Sequence, residues 1–376
     1  MYKVRLTSIV LLFLSQAIFA VNRSDSSKVT LIFAGDIMGH DAQIESAFDP
    51  ATGKYNYHDV FAPVKSLIEE ADIAVANLEV TLAGPPYKGY PQFSSPDELA
   101  EAARDAGFDV LLTANNHSLD RGKRGLERTL DVLDKLEITC TGTFRNAEER
   151  LDKYPLFIEK NGFRLAILNY TYGTNGLKVE APNIVNYIDT ETIKKDLLNA
   201  LVGGSDYTIV TIHWGKEYQL EASAGQKSLA KMIFDNGADL IIGSHPHVVQ
   251  PVDIYYPEDL DSADYKIVAY SLGNYVSNQR ARTKDGGIMF RISLEKTDRV
   301  RIADYHYIPT WVRRSPEPMK FEILPAGAAL IDPGNYNLAE WEINKLRLFY
   351  EDTKKQMSNL PEFTVIQGLK VHKGKN

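Results

Sequence analysis

Five of the eight histidines follow short apolar runs and stand among other polar residues. These are His40, His117, His213, His245 and His247, and Asp36 and Glu79 occupy equivalent places after two of the runs. One such residue alone is usually a helix cap or a packed side chain, whereas their repeated occurrence predicts a shared site. A set of Asp, Glu, Asn and His without cysteine suits Mn, Zn, Fe or Mg. A two-metal site would also need a bridging carboxylate.

The segment His245-Pro246-His247 carries the most specific signal. Proline restricts the backbone, and alternate residues of a strand share one side, so the two imidazoles could address neighbouring metals. Gly243 is expected to let the preceding chain turn sharply. Metal binding is therefore favoured over a structural role for this pair. The remaining histidines, His58, His306 and His372, lack such neighbours and are interpreted as surface or packing residues.

The apolar runs and the segments between them predict the elements that position these side chains. Buried strands are predicted over residues 29–34, 73–76, 110–113, 165–168, 208–212, 240–242 and 267–270. Helices are predicted over residues 96–106, 122–136, 190–201 and 223–236. This alternation favours an α/β core with crossover connections. In open α/β sheets, binding residues gather beyond the carboxyl ends of the strands, where all the polar clusters of this chain fall.

The pattern changes after Gly286. Residues 288–294 and 300–308 alternate in polarity, which predicts antiparallel strands near the edge of the core. Prolines 309, 316, 318 and 325 are expected to interrupt the chain, and residues 338–357 are predicted to be helical. We therefore expect a core over residues 28–310 and a C-terminal appendage over residues 311–376 that packs on it.

Composition excludes several classes of protein. The 376 residues are 44% hydrophobic and 24% charged, which is typical of a globular protein and not of a disordered chain or one with many membrane spans. The net charge of -8 argues against a protein that coats nucleic acid. The single cysteine, Cys140, excludes an intramolecular disulfide, and its strand-like context predicts a buried small hydrophobe.

The first 20 residues predict export from the cytoplasm. Lys3 and Arg5 precede an apolar run over residues 9–20, which ends at the small residue Ala20 before a polar stretch. This order is typical of a secretory signal peptide, and the run is short for a membrane span of about 20 residues. An uncleaved N-terminal membrane anchor is the alternative. A periplasmic or extracellular location follows from either interpretation.

Six motifs in order resemble one known family. They are GDIMGHD from Gly35, NLE from Asn77, NNHSLDRG from Asn115, HWGKEY from His213, GSHPHVVQP from Gly243 and SLGN from Ser271. Together they resemble the CapA-type proteins of poly-γ-glutamate capsule biosynthesis over roughly residues 29–310. That family is similar to calcineurin-like metallophosphoesterases. The resemblance implies a four-layer α/β/β/α sandwich with a dinuclear metal site at the strand ends.

The resemblance also implies roles for individual residues. The implied metal ligands are Asp36, Glu79, Asn116, His213, His245 and His247. His117 matches the histidine that stabilises or protonates the reacting group, and accessory roles are open to His40, Asn77, Asp120, Glu217 and Asn274. Two positions depart from the phosphoesterase pattern. Met38 stands where a histidine ligand is expected, with His40 as the nearest substitute, and Glu79 replaces the bridging aspartate.

Two functions of different classes fit these observations. The first is a metal-dependent hydrolase or transferase of the cell envelope, acting on a γ-glutamyl amide or a phosphoester bond with two divalent ions. The second is a non-catalytic subunit that binds or scaffolds the polymer in the capsule machinery. Either function implies an anionic polymer such as poly-γ-glutamate as partner, with membrane subunits as further candidates and no nucleic acid. Attraction of a polyanion to this acidic chain needs the metals or local cations, for which Arg121, Lys123, Arg124 and Lys216 are candidates.

Overall fold

The computed structural model describes residues 27–256 and 265–363. The predicted signal peptide lies outside these described residues, as does His372. The strands are β1 (Ser27–Ile37), β2 (Phe48–Asp49), β3 (Lys54–Tyr55), β4 (Ile73–Leu78), β5 (Val110–Leu112), β6 (Thr139–Thr141), β7 (Thr143–Phe144), β8 (Leu156–Lys160), β9 (Phe163–Thr171), β10 (Ile184–Val185), β11 (Tyr207–His213), β12 (Leu240–Ser244), β13 (Val252–Tyr255), β14 (Lys266–Ala269), β15 (Asn274–Val276), β16 (Gly286–Lys296), β17 (Val300–Pro316) and β18 (Met319–Pro325).

The helices are α1 (Asp41–Ala47), α2 (His58–Phe61), α3 (Lys65–Glu69), α4 (Glu98–Asp105), α5 (Gly122–Lys135), α6 (Ala147–Lys153), α7 (Thr190–Val202), α8 (Ala224–Asp235), α9 (Ala326–Ile331) and α10 (Glu340–Gln356), with a short 3-10 helix at Ala62–Val64. All the strands and helices predicted for the core are present, with ends displaced by a few residues. Among the described residues, no helix is both long and apolar enough to cross a membrane.

Two mixed sheets form the centre of the molecule. The first has the order β18-β17-β16-β1-β4-β5-β6, with β15 paired to the end of β1, and the second has the order β13-β14-β12-β11-β9-β8. Strands β1, β4, β5 and β6 run parallel, as do β9, β11, β12 and β14 in the second sheet. Parallel strands end at the same edge of their sheet, so each sheet brings its loops to one edge.

Alternation along the strands produces the layers. Leu31 and Phe33 of β1 pack between the two sheets, while Ile32 and Ala34 face the helices that cover the first sheet. On the outer face of the second sheet, residues such as Val210 pack against α7 and α8. The sheets therefore bury both faces, which explains why their strands read as continuous apolar runs. The architecture is the four-layer α/β/β/α sandwich that was predicted.

The C-terminal part differs from the expected appendage. Strand β17 passes through Pro309 and crosses the expected boundary at residue 310, and residues 319–325 add the edge strand β18 to the first sheet. Pro309 is tolerated because β18 pairs with β17 only from Thr310 onward, and Pro316 and Pro325 lie at strand ends. Helices α9 and α10 then pack on Trp311 and Leu324. The part that packs on the sheet therefore begins at about residue 326.

Candidate metal centre

The polar clusters meet where the carboxyl ends of both sheets converge. Strand β1 has an irregular register between Ala34 and Asp36, next to the first of the predicted ligands. Gly35 lies so close to the neighbouring chain that a Cβ atom there would stand 2.0 Å from the Gly273 carbonyl oxygen. A larger residue would displace this strand end, so glycine is required for the position of Asp36.

Asp36, Asn77 and Glu79 form the acid side of the site, and all three are buried. The Asn77 amide Nδ2 donates to Asp36 Oδ1 at 2.8 Å and to Glu79 Oε2 at 3.2 Å. The Asn115 amide donates in turn to Asn77 Oδ1 at 3.2 Å. Asn77 thus holds two carboxylates close together. Asn77 was predicted only as an accessory residue, and it positions the acid side without being one of the charged ligands.

Glu79 carries the largest electrostatic cost on this side. Burial, together with the nearby Asp36 carboxylate, raises the pKa of Glu79 well above its ordinary value. Its Oε1 is buried and has no hydrogen-bond partner among the described residues. A carboxylate oxygen in this state is costly unless a cation or a proton satisfies it.

His213, His245 and His247 form the imidazole side, which the second sheet supplies. His213 ends β11, and its Nδ1 lies 2.9 Å from the Ser244 hydroxyl oxygen. Its Nε2 lies 2.9 Å from Asn116 Oδ1 and 3.6 Å from Glu79 Oε1. Burial lowers the pKa of His213 well below its ordinary value, and the neighbouring histidines add to this effect.

His245 and His247 lie in the loop after β12 and not on a strand, which corrects the sequence interpretation. Their φ angles are 98° and 55°, in the left-handed region where residues other than glycine are uncommon. Backbone conformations of this kind are concentrated at functional sites. The turn thus occurs at the histidines themselves. Gly243 does not make the predicted turn. It is needed because the neighbouring chain passes close to it: a Cβ atom at Gly243 would lie 2.0 Å from the Tyr270 carbonyl oxygen.

The two histidines of this loop meet the acid side directly. His247 Nδ1 lies 3.0 Å from Asp36 Oδ2, and its Nε2 lies 3.6 Å from Glu79 Oε1. His245 is buried with its Nδ1 unpartnered among the described residues. Burial, with a contribution from His247, lowers the pKa of His245 to about 4. The His245 imidazole is therefore neutral near neutral pH, which is the form that binds metals.

Two groups of side chains have ligand atoms close enough to share a cation. One comprises Asp36, Glu79 and His213, and the other comprises Glu79, His245 and His247, with all ligand atoms of a group within 4.8 Å of one another. Glu79 belongs to both groups, as a bridging ligand would. The unpartnered Glu79 Oε1 and His245 Nδ1 indicate that divalent cations fit this arrangement. Oxygen and imidazole donors without sulfur suit Mn, Zn, Fe or Mg.

His117 stands beside these groups and has its own partner. Its Nδ1 lies 2.7 Å from Asp120 Oδ2, and the same oxygen accepts the Phe93 backbone N–H at 2.7 Å. The Phe93 ring packs edge-on against the imidazole, with ring centroids 4.7 Å apart. This arrangement fixes the tautomer and the ring orientation. His117 and Asp120 line an open cavity of about 450 Å³ that Asn116 and Glu217 also line.

His40 does not replace the histidine that is missing at Met38. Met38 is buried in the apolar core on the helix side of the first sheet. His40 lies outside both ligand groups, with its ring edge-on to Phe93 at 5.4 Å and its Nδ1 3.2 Å from the Asn278 backbone nitrogen. Burial lowers the pKa of His40 to about 4. The expectation that His40 substitutes as a ligand is therefore not supported by this placement.

The other accessory candidates have distinct places. Glu217 is exposed and lines the cavity beside His117. Asn274 is buried, and its amide donates to the Lys284 carbonyl oxygen at 2.8 Å and lies 3.4 Å from the His247 carbonyl oxygen. Asn274 therefore braces the backbone around the site. Cys140 is half-buried, less than predicted, and burial raises the pKa of its thiol to about 12.

Sequence reasoning missed the aromatic residues at the site. Phe93 supports His117, the Tyr172 ring lies 4.5 Å from the His245 ring, and the Tyr218 ring lies 6.2 Å from the His247 ring. Tyr172 and Tyr218 follow β9 and β11 at the same edge as the ligands, and this position was the available signal. Of the cations predicted to attract a polymer, Lys123 is directed to the Ala181 carbonyl oxygen and to Glu127.

Comparisons with known proteins agree with the geometry. Residues 30–279 match the model of the family described as "Bacterial capsule synthesis protein PGA_cap". The capsule biosynthesis protein CapA of Bacillus anthracis is 30% identical over 291 residues, which cover 73% of this chain and 66% of that relative. The chain thus spans just under two thirds of that protein. The PGA biosynthesis protein CapA of Bacillus subtilis (strain 168) is 25% identical over 332 residues, covering 85% of this chain and 81% of the relative.

Solved structures show where the fold recurs. The NAD nucleotidase NadN of Haemophilus influenzae superposes with a TM-score of 0.50 and 13% identity, over 90% of this chain and 64% of that one. The calcineurin-like phosphoesterase YfkN of Bacillus subtilis aligns over 76% of this chain and 90% of its own, with a TM-score of 0.44 and 14% identity. The fold of this chain thus recurs in the NAD nucleotidase, and the likeness concerns the fold alone. With the ordered motifs meeting at one site and the family match covering most of the chain, the protein belongs to the bacterial capsule synthesis protein family PGA_cap.

Proposed function

We propose that this protein is an exported, metal-dependent hydrolase or transferase of the cell envelope that acts on the capsule polymer poly-γ-glutamate. The bond would be a γ-glutamyl amide or a phosphoester. The family match and the names of the CapA relatives support the polymer. The N-terminal sequence supports export, with either a cleaved signal peptide or an uncleaved anchor. The observation that carries the catalytic part is the His117–Asp120 pair facing a cavity beside two ligand groups.

Asp36, Glu79, Asn116, His213, His245 and His247 would hold the cations, most simply two divalent ions. When bound, such cations lower the pKa of a water molecule and stabilise negative charge that develops on the reacting group. The chain itself supplies the acid. Asp120 accepts a hydrogen bond from Nδ1–H of His117, so when both ring nitrogens carry a proton, the proton on Nε2 would be the one given to the leaving group of the substrate. Phe93 holds both partners, because its N–H donates to Asp120 and its ring packs on His117.

The test is turnover by protein loaded with Mn, Zn or Mg, with γ-glutamyl oligomers and phosphoesters as substrates. We expect His117→Ala to keep its metal and lose about 10²–10⁴ in rate, equivalent to about 3–5 kcal/mol of transition-state stabilisation. His58→Ala is the matched control, since His58 pairs with Asp105 at 2.9 Å on the surface.

One result would replace this proposal with the non-catalytic one. If the wild type cleaves none of these bonds, and His117→Ala supports capsule formation in cells as well as the wild type does, the protein is a binding or scaffolding subunit. A pure scaffold has no evident need for a buried, oriented histidine beside the ligand groups, so we favour catalysis.

A further inference from the structure

A basic loop, residues 277–285, borders the metal centre. Asn274, in the strand β15 that precedes the loop, donates to the Lys284 carbonyl oxygen near the end of the loop, and the backbone N–H of Asn278 donates to His40 Nδ1. The loop carries three cations at alternate positions, Arg280, Arg282 and Lys284. None of them was among the cations singled out from the sequence. The three side chains have different contacts within the protein, and these contacts show which of the three cations is available to bind a ligand.

Two of the three cations have structural partners. Arg280 donates to the Val312 carbonyl oxygen at 2.8 Å and lies over the Trp311 ring. Arg282 forms a two-pronged ion pair with Asp352 of α10, with both distances 2.7 Å. These contacts tie the loop to β17 and α10. Arg280 and Arg282 are therefore committed to the fold.

Lys284 is different because its ammonium rests on an aromatic face. Its Nζ lies 3.2 Å from the centroid of the Tyr218 ring, and that centroid lies 6.2 Å from the centroid of the His247 ring. Lys284 is half-buried, and within residues 27–256 and 265–363 no carboxylate forms an ion pair with it. A cation–π contact of this kind stabilises by only about 0.5–2 kcal/mol. An incoming anion could therefore engage this ammonium without breaking an existing ion pair.

The position of Tyr218 places this contact next to the metal centre. Tyr218 has a φ of 66°, and its backbone N–H donates to the Pro246 carbonyl oxygen at 2.8 Å, between the two histidines of the centre. The ring is thus anchored to the His245–His247 loop and holds Lys284 within about 10 Å of the His247 ring. Glu217, the residue before Tyr218, lines the cavity beside His117. Lys284 thus places a positive charge close to the His245–His247 loop.

We propose that Lys284, positioned by Tyr218, is a subsite that binds a carboxylate of an acidic oligomer whose reacting bond lies at the metal centre. This inference rests on the proposed function, because it takes the γ-glutamyl polymer as the ligand. Such a polymer carries one carboxylate on every residue, so a carboxylate always lies one residue from the bond in the centre. The subsite also addresses a physical problem: a chain of net charge -8 must attract a polyanion through local cations.

The experiment measures binding and not turnover. All variants are made in a metal-loaded His117→Asn background, and the probe is a short γ-linked glutamate oligomer, studied by calorimetry. We expect Lys284→Gln to weaken binding about tenfold, the scale of a hydrogen bond to a charged group, and Lys284→Arg to retain most of the affinity. Lys65→Gln, an exposed lysine of α3 in an outer layer, removes the same charge and should change nothing.

Two further arms identify the ligand and the role of Tyr218. An oligomer with amidated carboxylates should bind weakly and equally to the parent and to Lys284→Gln. Tyr218→Phe keeps the ring and should retain affinity, whereas Tyr218→Leu should lose part of it. The difference between the parent and Lys284→Gln should shrink as salt is raised, because screening weakens a partly exposed ion pair.

The subsite is wrong if the parent does not bind the oligomer, if Lys284→Gln binds as tightly as the parent, or if Lys65→Gln loses as much. It is also wrong if only a phosphomonoester shows dependence on Lys284, which would assign the subsite to phosphate. Failure of the proposed catalysis is a separate result. If the protein binds the oligomer through Lys284 but the wild type cleaves none of the bonds tested, the subsite proposal stands and the catalytic proposal is wrong.

Discussion

The two sheets supply chemically opposite sides of one site. The acid side, Asp36, Asn77 and Glu79, comes from the first sheet, and burial raises the pKa of its glutamate. The imidazole side, His213, His245 and His247, comes from the second, and burial lowers the pKa of His213 and His245. Glu79, His213 and His245 are thus pushed toward their neutral forms in the absence of a cation. A cation between them would reverse the cost on the acid side and leave the imidazoles neutral, so both sides favour binding of a cation.

The comparison predicts that removing the imidazole side abolishes metal binding. His245→Ala combined with His247→Ala deletes one complete histidine pair from a ligand group. We expect metal content, measured by elemental analysis, to fall to background, with His58→Ala remaining at the wild-type level. Full stoichiometric metal in the double variant would remove these histidines from the site.

A change on the acid side should separate stability from metal binding. Glu79→Gln removes the charge that both ligand groups share, and loss of one partner of a buried charge pair typically costs about 3–5 kcal/mol. We expect the metal Kd to rise by about 10²–10³, as titration calorimetry would show. The metal-free variant should unfold at higher urea than the metal-free wild type, because no carboxylate needs to be buried. A less stable metal-free variant would contradict this account of Glu79.

The two sides should also respond to pH with opposite signs. The folded pKa of His245 is about 4, below its ordinary 6.5, so its contribution to stability is present above pH 6.5 and is lost as pH falls toward 4. The full shift corresponds to about 3 kcal/mol. The raised pKa of Glu79 acts the other way, since its contribution is present below its ordinary 4.5 and is lost as pH rises.

Urea unfolding of metal-free protein between pH 7 and pH 4 tests the imidazole part of this prediction. His245→Asn should show a weaker loss of unfolding free energy over that interval than the wild type. An unchanged pH dependence would mean that His245 is not held neutral by the fold.

The smallest expected effect concerns a residue that orients a ligand without belonging to either group. The Ser244 hydroxyl lies 2.9 Å from His213 Nδ1. Loss of such an outer partner typically lowers metal affinity by about 10–100-fold, and we expect the lower end for Ser244→Ala because Asn116 still contacts the ring. Competition with a chelator would measure the change, and Ser66→Ala on α3 is a matched control.

Much of the fold was predictable because a buried strand or helix has a recognisable pattern of apolar residues in its own sequence. Strands that are covered on both faces, such as β1 and β11, carry apolar residues at most of their positions, and the helices between them carry one apolar face. Strand β17 was less accessible to prediction. Its Pro309 reads as a break, and only the later start of its pairing with β18 makes that proline acceptable.

The sequence by itself determined which residue types stand after each buried strand, and hence that carboxylates and imidazoles would gather at one edge. It could not determine pairing across the two sheets, because those contacts join residues far apart in the chain. Only the tertiary structure decided that Glu79 belongs to both ligand groups, that Asp120 holds His117, and that His40 stays apart. It also decided that Lys284 rests on Tyr218, 66 positions away in the chain, because only packing can bring two loops of different sheets together.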